Sequence, residues 1–213
     1  MSFKIDLHHE RKNYDKHSLL EEYVLQNPFE QFALWYKEAT DEEKIIEPNV
    51  MTLATATIHA KPSVRIVLLK EFSPSGFVFY TNYTSKKGRE LAQNPQASLL
   101  FFWDVLERQV RIEGVVKKLE AAKSTEYFNS RPIESRIGAI ASPQSEVIAS
   151  REVMDKKILE VEFEGKLERP EHWGGYVLIP DYFEFWQGRP NRVHDRLSFA
   201  KQGDSWGLNR LAP

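Results

Sequence analysis

The sequence predicts a domain that is mainly β with added helices (α+β), built as a closed or nearly closed antiparallel barrel with helices packed around it. Three observations support this class. Strand-like segments follow one another with only short polar connections, which is typical of antiparallel hairpins. The β-α-β alternation of a doubly wound nucleotide-binding fold is absent, as is any G-x-G-x-x-G motif. The chain has no internal repeat, low-complexity tract or linker, so we expect a single domain.

The N-terminal region is predicted to contain an arm and one helix. Residues 1–17 are polar and basic and are expected to form a mobile arm, followed by a single domain over residues 18–213. Asn27-Pro28-Phe29-Glu30 is typical of a helix start, because Asn can cap the helix, Pro is favoured at its first position and Glu at its third. An apolar stripe extends this helix to about Lys44.

The rest of the chain alternates strand segments, rich in β-branched and aromatic residues, with a few helices. Strands are predicted over residues 50–58, 63–72, 76–82, 97–104, 109–119, 175–179, 183–187, 196–201 and 205–210, with a turn at 73–76. Helices are predicted over residues 85–93, over 121–140 with a break at Arg131-Pro132, and over 150–164. In the last of these, Val153, Ile158 and Val161 are expected on the buried side.

The composition excludes several classes of protein. Lys plus Arg total 29 and Asp plus Glu total 31, and this net charge of −2 argues against wholesale binding to nucleic acid or anionic membranes. The lack of cysteine excludes disulfides, thiolate nucleophiles and Cys-ligated metal sites. The six histidines form no H-x-x-x-H or H-E-x-x-H pair, and no G-x-S-x-G motif occurs, so zinc-dependent and serine hydrolysis are disfavoured. No signal-peptide core or membrane-spanning run is present, and a cytoplasmic location is expected.

The stretch from Trp186 to Arg196 carries the strongest indication of a site. If it is extended, Arg192, His194 and Arg196 lie on one face, with Asp195 on the other. Two guanidinium groups and an imidazole at this spacing favour an anion, and histidine can move a proton near neutral pH. A solvated edge strand with scattered charges is the alternative interpretation.

Two segments in the first half of the chain carry further cations. Arg65 and Lys70 bracket four aliphatic residues, but their odd separation puts them on opposite faces of a plain strand, and on their own they are better explained as edge charges. The segment from Tyr80 to Lys87 runs from a strand end into a helix N-terminus, where free N–H groups favour a phosphate. Lys86 and Lys87 oppose the helix dipole there, which favours a bound anion, although a solvated helix face is an alternative.

A third cluster lies in the predicted helix over residues 121–140. Tyr127, Arg131 and Ser135 recur every four residues, so they line one side of a helix and could hold a phosphate through charge-assisted hydrogen bonds. An amphipathic helix with a polar edge explains them equally well. The loop over residues 142–145, with Gln144 and Ser145, suits hydrogen bonding to the edge of a heteroaromatic ring. Two phosphate-binding clusters would fit one phosphorylated cofactor and one phosphorylated substrate.

Taken together, these segments resemble the pyridoxine (pyridoxamine) 5′-phosphate oxidases, a family of FMN enzymes. The resemblance extends from Arg11 to Pro213 and rests on residues 65–70, 79–82, 106–110, 127–132, 185–188 and 192–196, which occur in the matching order. It implies an FMN-binding split β-barrel, an antiparallel Greek-key barrel flanked by helices. It also implies a homodimer with FMN at the subunit interface, so that both subunits contribute to each site.

The resemblance implies three sets of site residues in this chain. The implied FMN-binding residues are Arg65, Ile66, Val67, Leu68, Leu69, Lys70, Tyr80, Thr81, Lys86, Lys87, Gln109, Gln144, Ser145, Trp186 and Arg196. The implied substrate-binding residues are Arg11, Tyr14, Lys70, Tyr127, Arg131, Ser135, Arg192 and His194, with residues 11–14 folding in as a lid. Arg192 and His194 are also the implied catalytic residues, Arg192 positioning the ring and assisting proton movement, and His194 binding ring substituents.

The reaction implied by the resemblance is oxidation of pyridoxine or pyridoxamine 5′-phosphate to pyridoxal 5′-phosphate, as part of vitamin B6 biosynthesis or salvage. A hydride passes from C4′ to the flavin, O2 reoxidises the flavin to yield H2O2, and the amine substrate releases NH3. No metal, nucleic acid or membrane takes part.

The chain departs from the family pattern at a few positions. Lys86 stands where arginine is usual, which exchanges a bidentate phosphate contact for a point charge. Val193 replaces a more common leucine, and Arg136 and Ile140 stand where glutamine and tryptophan are expected, which puts the packing around Ser135 in doubt. Two rival functions remain: a related split-barrel oxidase of phenazine biosynthesis, and a non-catalytic carrier of FMN or pyridoxal phosphate.

Overall fold

The computed structural model describes residues 8–9 and 12–213. These residues form nine strands and five α-helices. The strands are β1 Val50–Ala56, β2 Pro62–Leu68, β3 Glu71–Ser73, β4 Gly76–Asn82, β5 Gln96–Trp103, β6 Arg108–Lys118, β7 Trp173–Gln187, β8 Asp195–Gln202 and β9 Ser205–Arg210. The helices are α1 Pro28–Asp41, α2 Lys86–Gln93, α3 Ala121–Ser130, α4 Ile133–Ala141 and α5 Arg151–Glu164. None of the helices formed by the described residues is long and apolar enough to cross a membrane.

The strands join in one sheet, in the order β2-β1-β5-β6-β7-β4-β3, and β8 pairs with both β7 and β9. The pairings β1–β2, β1–β5, β3–β4, β4–β7 and β8–β9 are antiparallel. The predicted class, antiparallel β with flanking helices, is therefore confirmed. The chain divides into two compact units.

The first unit combines the described residues up to Pro48 with Phe102–Arg111 and Phe183–Pro213. Helix α1 begins as predicted, with the Asn27 side chain accepting a hydrogen bond from the Phe29 N–H at 2.9 Å. Its buried face brings Trp35 against Phe185, with ring centroids 5.3 Å apart at an angle of 88°. Aromatic side chains of α1, β7 and β8 therefore form the core of this unit.

The second unit comprises Asn49–Phe101 and Ile112–Tyr182. Its core is built from alternate residues of the strands, because one face of each strand is turned inward. The fully buried side chains include Met51, Leu53, Phe77, Phe79, Leu99, Ile112 and Phe128. Helix α2 begins at Ser85, whose side chain accepts a hydrogen bond from the Gly88 N–H at 3.3 Å. This helix start, predicted from the sequence, carries part of the candidate site.

Some predicted elements differ from the structure. The strand predicted over residues 63–72 is divided between β2 and β3, whereas the two strands predicted over 175–179 and 183–187 are one continuous strand, β7. The predicted buried side of α5 is partly right: Ile158 and Val161 are half-buried, Val153 is exposed, and no side chain of this fully described helix is completely buried. Leu159 and Phe163 are exposed, so part of the apolar surface of α5 is open to solvent.

Candidate functional site

The second unit contains a cavity of about 450 Å³ next to the start of α2. It brings together Lys70, Tyr127, Arg131 and Ser135, four of the implied substrate-binding residues, and many of the implied FMN-binding residues. Its lining residues are Ile66, Val67, Leu68, Lys70, Tyr80, Thr81, Lys87, Tyr127, Arg131, Pro132, Ser135, Gln144 and Trp173. The strand β2, the end of β4, the helix α2 and the α3–α4 junction thus place side chains around one space.

Lys87 provides a buried positive charge in this cavity. Its Nζ donates hydrogen bonds to Thr81 Oγ1 at 3.0 Å and to Gln144 Oε1 at 3.1 Å, and both acceptors are neutral. Burial and the nearby charge of Arg65 lower the pKa of Lys87 to about 8. A buried ammonium next to a helix N-terminus and held by neutral groups favours binding of an anion, since an anion would compensate the cost of burial.

Arg65 lies behind the cavity and does not line it. Its guanidinium donates to the Leu53 carbonyl at 3.1 Å and to Ser63 Oγ at 2.5 Å, and it pairs with buried Glu90 at 3.3 Å. Burial lowers the pKa of Arg65, and Glu90 opposes that shift. The Nζ of Lys86, an exposed residue, lies 4.0 Å from the same carboxylate. Glu90, which the sequence analysis missed, therefore forms ion pairs with two of the predicted FMN-binding cations, Arg65 and Lys86.

Aromatic side chains and one arginine form another wall of this cavity. Tyr80 and Tyr127 are stacked with centroids 3.9 Å apart, and the Arg131 guanidinium lies 4.8 Å from the Trp173 ring centroid. The Arg131 Nη1 is buried and has no hydrogen-bond partner among the described residues. Burial lowers the pKa of Arg131. Arg131 and Ser135 both line this cavity, and a guanidinium with an unpaired buried nitrogen next to a hydroxyl fits a phosphate ligand.

The first unit contains a separate cavity of about 690 Å³. Its lining residues are Lys12, Asn13, Tyr14, Arg189, Asn191, Arg192 and His194. The His194 ring lies 4.7 Å from that of Trp186 and 5.8 Å from that of Tyr14. The Arg189 N–H donates to His194 Nδ1 at 3.1 Å, so a neutral His194 carries its proton on Nε2. Burial and the charge of Arg192 lower the pKa of His194.

The predicted common face of Arg192, His194 and Arg196 is wrong. Residues Pro190–Arg192 form a 3-10 turn, and Asn191 and Arg192 have φ values of 58° and 63°, so the segment is not extended before β8 begins at Asp195. Arg192 and His194 face one cavity, whereas the Arg196 Nε donates to Glu184 at 2.8 Å. The prediction assumed an extended strand over these residues, whereas the 3-10 turn at Pro190–Arg192 sets the directions of the side chains.

Glu184 was not identified by the sequence analysis. Its side chain is buried and accepts a hydrogen bond from Arg111 at 2.5 Å in addition to that from Arg196. The only sequence signal is a charged residue in the middle of the apolar run Tyr182-Phe183-Glu184-Phe185-Trp186. Such a residue is rarely buried unless it is paired.

The remaining predicted residues are distributed between the two units. Leu69 is buried, Gln109 is half-buried on β6, and Ser145 is exposed in a loop with a φ of 73°. Arg11 lies outside the described residues. Within residues 8–9 and 12–213, His, Asp and Glu side chains form no cluster of three that could hold a metal ion.

Comparison of the chain with protein families gives two matches that follow one another along it. The model of the pyridoxamine 5′-phosphate oxidase family matches residues 37–165. The model of the pyridoxine 5′-phosphate oxidase C-terminal dimerisation region matches residues 173–213. The curated pyridoxine/pyridoxamine 5′-phosphate oxidases of Cyanothece sp. and Thermosynechococcus vestitus are 55% and 53% identical to this chain. Each alignment covers 95% of this chain, and 96% and 97% of the two relatives.

Solved structures support the same assignment. PhzG from Burkholderia lata, in complex with tetrahydrophenazine-1-carboxylic acid, has a TM-score of 0.85 and 31% identity, over 92% of this chain and 98% of its own. An FMN-binding protein from Nostoc punctiforme related to pyridoxamine 5′-phosphate oxidase shares the fold, with a TM-score of 0.69 at 14% identity. These likenesses confirm the predicted split-barrel fold. Family models and relatives together cover nearly the whole chain, and the chain belongs to the pyridoxine/pyridoxamine 5′-phosphate oxidase family.

Proposed function

We propose that the protein is an FMN-dependent oxidase that converts pyridoxine or pyridoxamine 5′-phosphate to pyridoxal 5′-phosphate with O2 as acceptor. The observation that carries this proposal is the cluster of Lys70, Tyr127, Arg131 and Ser135 around one cavity, with a buried Arg131 nitrogen that lacks a partner among the described residues. These groups suit a phosphate ester. Membership of the oxidase family supports the same substrate class.

The residues present fit FMN in the second unit. Lys87 offers a buried ammonium at the N-terminal end of α2, where the dipole and free N–H groups favour a phosphate. Thr81 and Gln144 add polar groups, and Ile66, Val67 and Leu68 line the same space. Arg65 acts from behind the cavity through its charge, since its guanidinium is held by Ser63 and Glu90.

When bound, FMN would supply the redox chemistry of the reaction, the two-electron oxidation of the substrate at C4′ coupled to reduction of O2 to H2O2. The chain itself binds the substrate phosphate, orients the ring and handles protons. Arg192 positions the ring and assists proton movement, and His194, with its proton on Nε2, donates a hydrogen bond to a ring substituent. Hydrolysis of the imine product releases NH3 when the substrate is the amine.

We further propose a homodimer with FMN at the subunit interface and residues of both subunits in each site. The match of residues 173–213 to a dimerisation region supports the dimer. Gln109, Trp186 and Arg196 would complete the FMN shell in such an assembly, and Tyr14, Arg192 and His194 would contact the substrate.

Two measurements test this proposal. The purified protein should bind FMN, appear yellow, and oxidise pyridoxine 5′-phosphate with formation of equimolar H2O2. Arg192→Ala should reduce turnover far more than it reduces FMN affinity. A protein that cannot be reconstituted with FMN contradicts the proposal, and Arg192→Ala with full turnover but weakened FMN binding contradicts the division of roles. The phenazine-type alternative predicts turnover of an unphosphorylated carboxylate substrate instead, as the ligand of the PhzG structure suggests.

A further inference from the structure

Glu107 in the first unit is a buried carboxylate with unusual partners. The residue is almost fully buried, at 1% relative exposure, and its backbone has a φ of 55°, in the left-handed region. The Oε2 accepts hydrogen bonds from the N–H groups of Asp15 at 3.0 Å and Lys16 at 3.2 Å. The Lys12 Nζ lies 3.8 Å from Oε1. One carboxylate thus binds the segment over residues 12–16 through its backbone.

The backbone of Glu107 binds a second segment, Gln187–Gly188. Its carbonyl accepts hydrogen bonds from the Gly188 N–H at 2.8 Å and from Gln187 Nε2 at 3.2 Å. A Cβ on Gly188 would lie 2.7 Å from Cγ of the Tyr14 ring, so only glycine allows the ring to approach this closely. The 12–16 segment and the Gln187–Gly188 segment therefore meet at Glu107.

Tyr14 connects this arrangement to the cavity of the first unit. Its ring packs edge-on against Trp186 at 5.8 Å and near His194 at 5.8 Å, and it lines the cavity together with Arg192 and His194. Two other hydrogen bonds in this part of the chain are exposed: Lys16 Nζ donates to the Val105 carbonyl, and Arg189 Nη1 donates to the His17 carbonyl. Exposed hydrogen bonds compete with water, so the buried carboxylate is the stronger anchor.

We propose that Glu107 is a positioning residue, which anchors residues 12–16 and so holds Tyr14 as a wall of the first-unit cavity that Arg192 and His194 also line. Two charge-assisted hydrogen bonds in a buried setting are strong enough to order a short extended segment that has no secondary structure of its own. Glu107 does not line the cavity, so it acts on the substrate only through Tyr14. The anchoring rests on the contacts alone, whereas the effect on substrate rests on the proposed function.

Hydrogen exchange of the full-length protein tests the anchor. In Glu107→Ala, the Asp15 and Lys16 amides should exchange about tenfold faster than in the unsubstituted protein, because both lose their acceptor. Glu107→Asp keeps the charge and suits the left-handed backbone, but its carboxylate is one methylene shorter, so it should also speed exchange at these two amides. Asp41→Ala removes an exposed carboxylate of α1 and serves as the control, with exchange at residues 15 and 16 unchanged. Unchanged exchange in Glu107→Asp overturns the proposal, even if Glu107→Ala fails to fold.

Steady-state kinetics test the effect on the substrate. A loosened Tyr14 removes binding that is equal in the ground state and the transition state, so Glu107→Asp should raise KM for pyridoxine 5′-phosphate about threefold to tenfold and leave kcat within about twofold. FMN content should not change. Faster exchange with an unaltered KM overturns the positioning role and leaves only the anchor. If the unsubstituted protein oxidises no B6 phosphate, the proposed function fails, while the exchange result still decides the anchor.

Discussion

Replacing Arg131 by methionine should weaken binding of the substrate phosphate without destabilising the unliganded protein. The guanidinium lies over the Trp173 ring at 4.8 Å and the Phe128 ring at 5.8 Å, and its buried Nη1 finds no partner among the described residues. Methionine keeps an unbranched, apolar side chain that can pack on the same rings. The substitution therefore removes the charge and the donors while retaining most of the packing.

The size of both effects follows from these contacts. A hydrogen bond to a charged group contributes about 1.5–3 kcal/mol, so KM for the phosphorylated substrate should rise roughly tenfold to hundredfold. In the unliganded protein, removing a buried donor without a partner relieves about 1–3 kcal/mol, from which a lost cation–π contact of about 0.5–1 kcal/mol is subtracted. The net gain of about 0–2.5 kcal/mol corresponds to an increase in Tm of at most about 10 °C.

Arg136 of α4 offers a matched control for the same assay. Its guanidinium also lies near Phe128, at 5.5 Å, but it donates to the Leu167 carbonyl and does not line the cavity. Arg136→Met should leave KM unchanged in an oxygen-consumption assay, because Arg136 does not line the cavity. Equal KM values for Arg131→Met and the unsubstituted protein would refute the phosphate role of Arg131, as would an equal KM increase in both variants.

Three further predictions concern the pH dependence caused by Lys87, the cap of α2 at Ser85, and the close contact between Gly188 and Tyr14. The pKa of Lys87, about 8, lies below its usual 10.5, so unfolding of the apoprotein should require more free energy as pH rises from about 8 to 10.5. FMN affinity should instead fall about tenfold from pH 7 to 9 in a fluorescence titration, and Lys87→Met should abolish this dependence. Ser85→Ala should lower the free energy of unfolding by about 1 kcal/mol in denaturant titrations, and no change would contradict its capping role. Gly188→Ala should displace Tyr14 and lower kcat/KM about tenfold with FMN content unchanged, and full activity would contradict the close approach.

Most of the fold was predictable, because its signals are local. The cap at Asn27, the turn before Gly76, the helix start at Ser85 and the break between α3 and α4 at Arg131-Pro132 all depend on a few neighbouring residues. The clusters of cationic side chains could be predicted because their signals are local too. Their grouping in one cavity was implied only by the resemblance to a family, since residues 66–68, 87 and 131 are far apart in the sequence.

The errors and omissions have physical causes that the sequence does not display. Asn191 and Arg192 adopt positive φ values, which a strand pattern cannot reveal, so the common face predicted for residues 192, 194 and 196 was wrong. Glu90, Glu107 and Glu184 are buried because arginines or backbone N–H groups from distant segments reach them. Pairing across such distances in sequence depends on the tertiary structure, and no local pattern encodes it.

Oxygen consumption by the FMN-loaded protein with pyridoxine 5′-phosphate and with unphosphorylated pyridoxine tests the central claim most directly. The value of kcat/KM should be at least about a hundredfold higher for the phosphorylated substrate, since phosphate contacts of Lys70 and Arg131 would each contribute about 1.5–3 kcal/mol. H2O2 should form in equal amount to the oxygen consumed. Equal kcat/KM values for the two substrates, or no oxidation of either, would contradict the account.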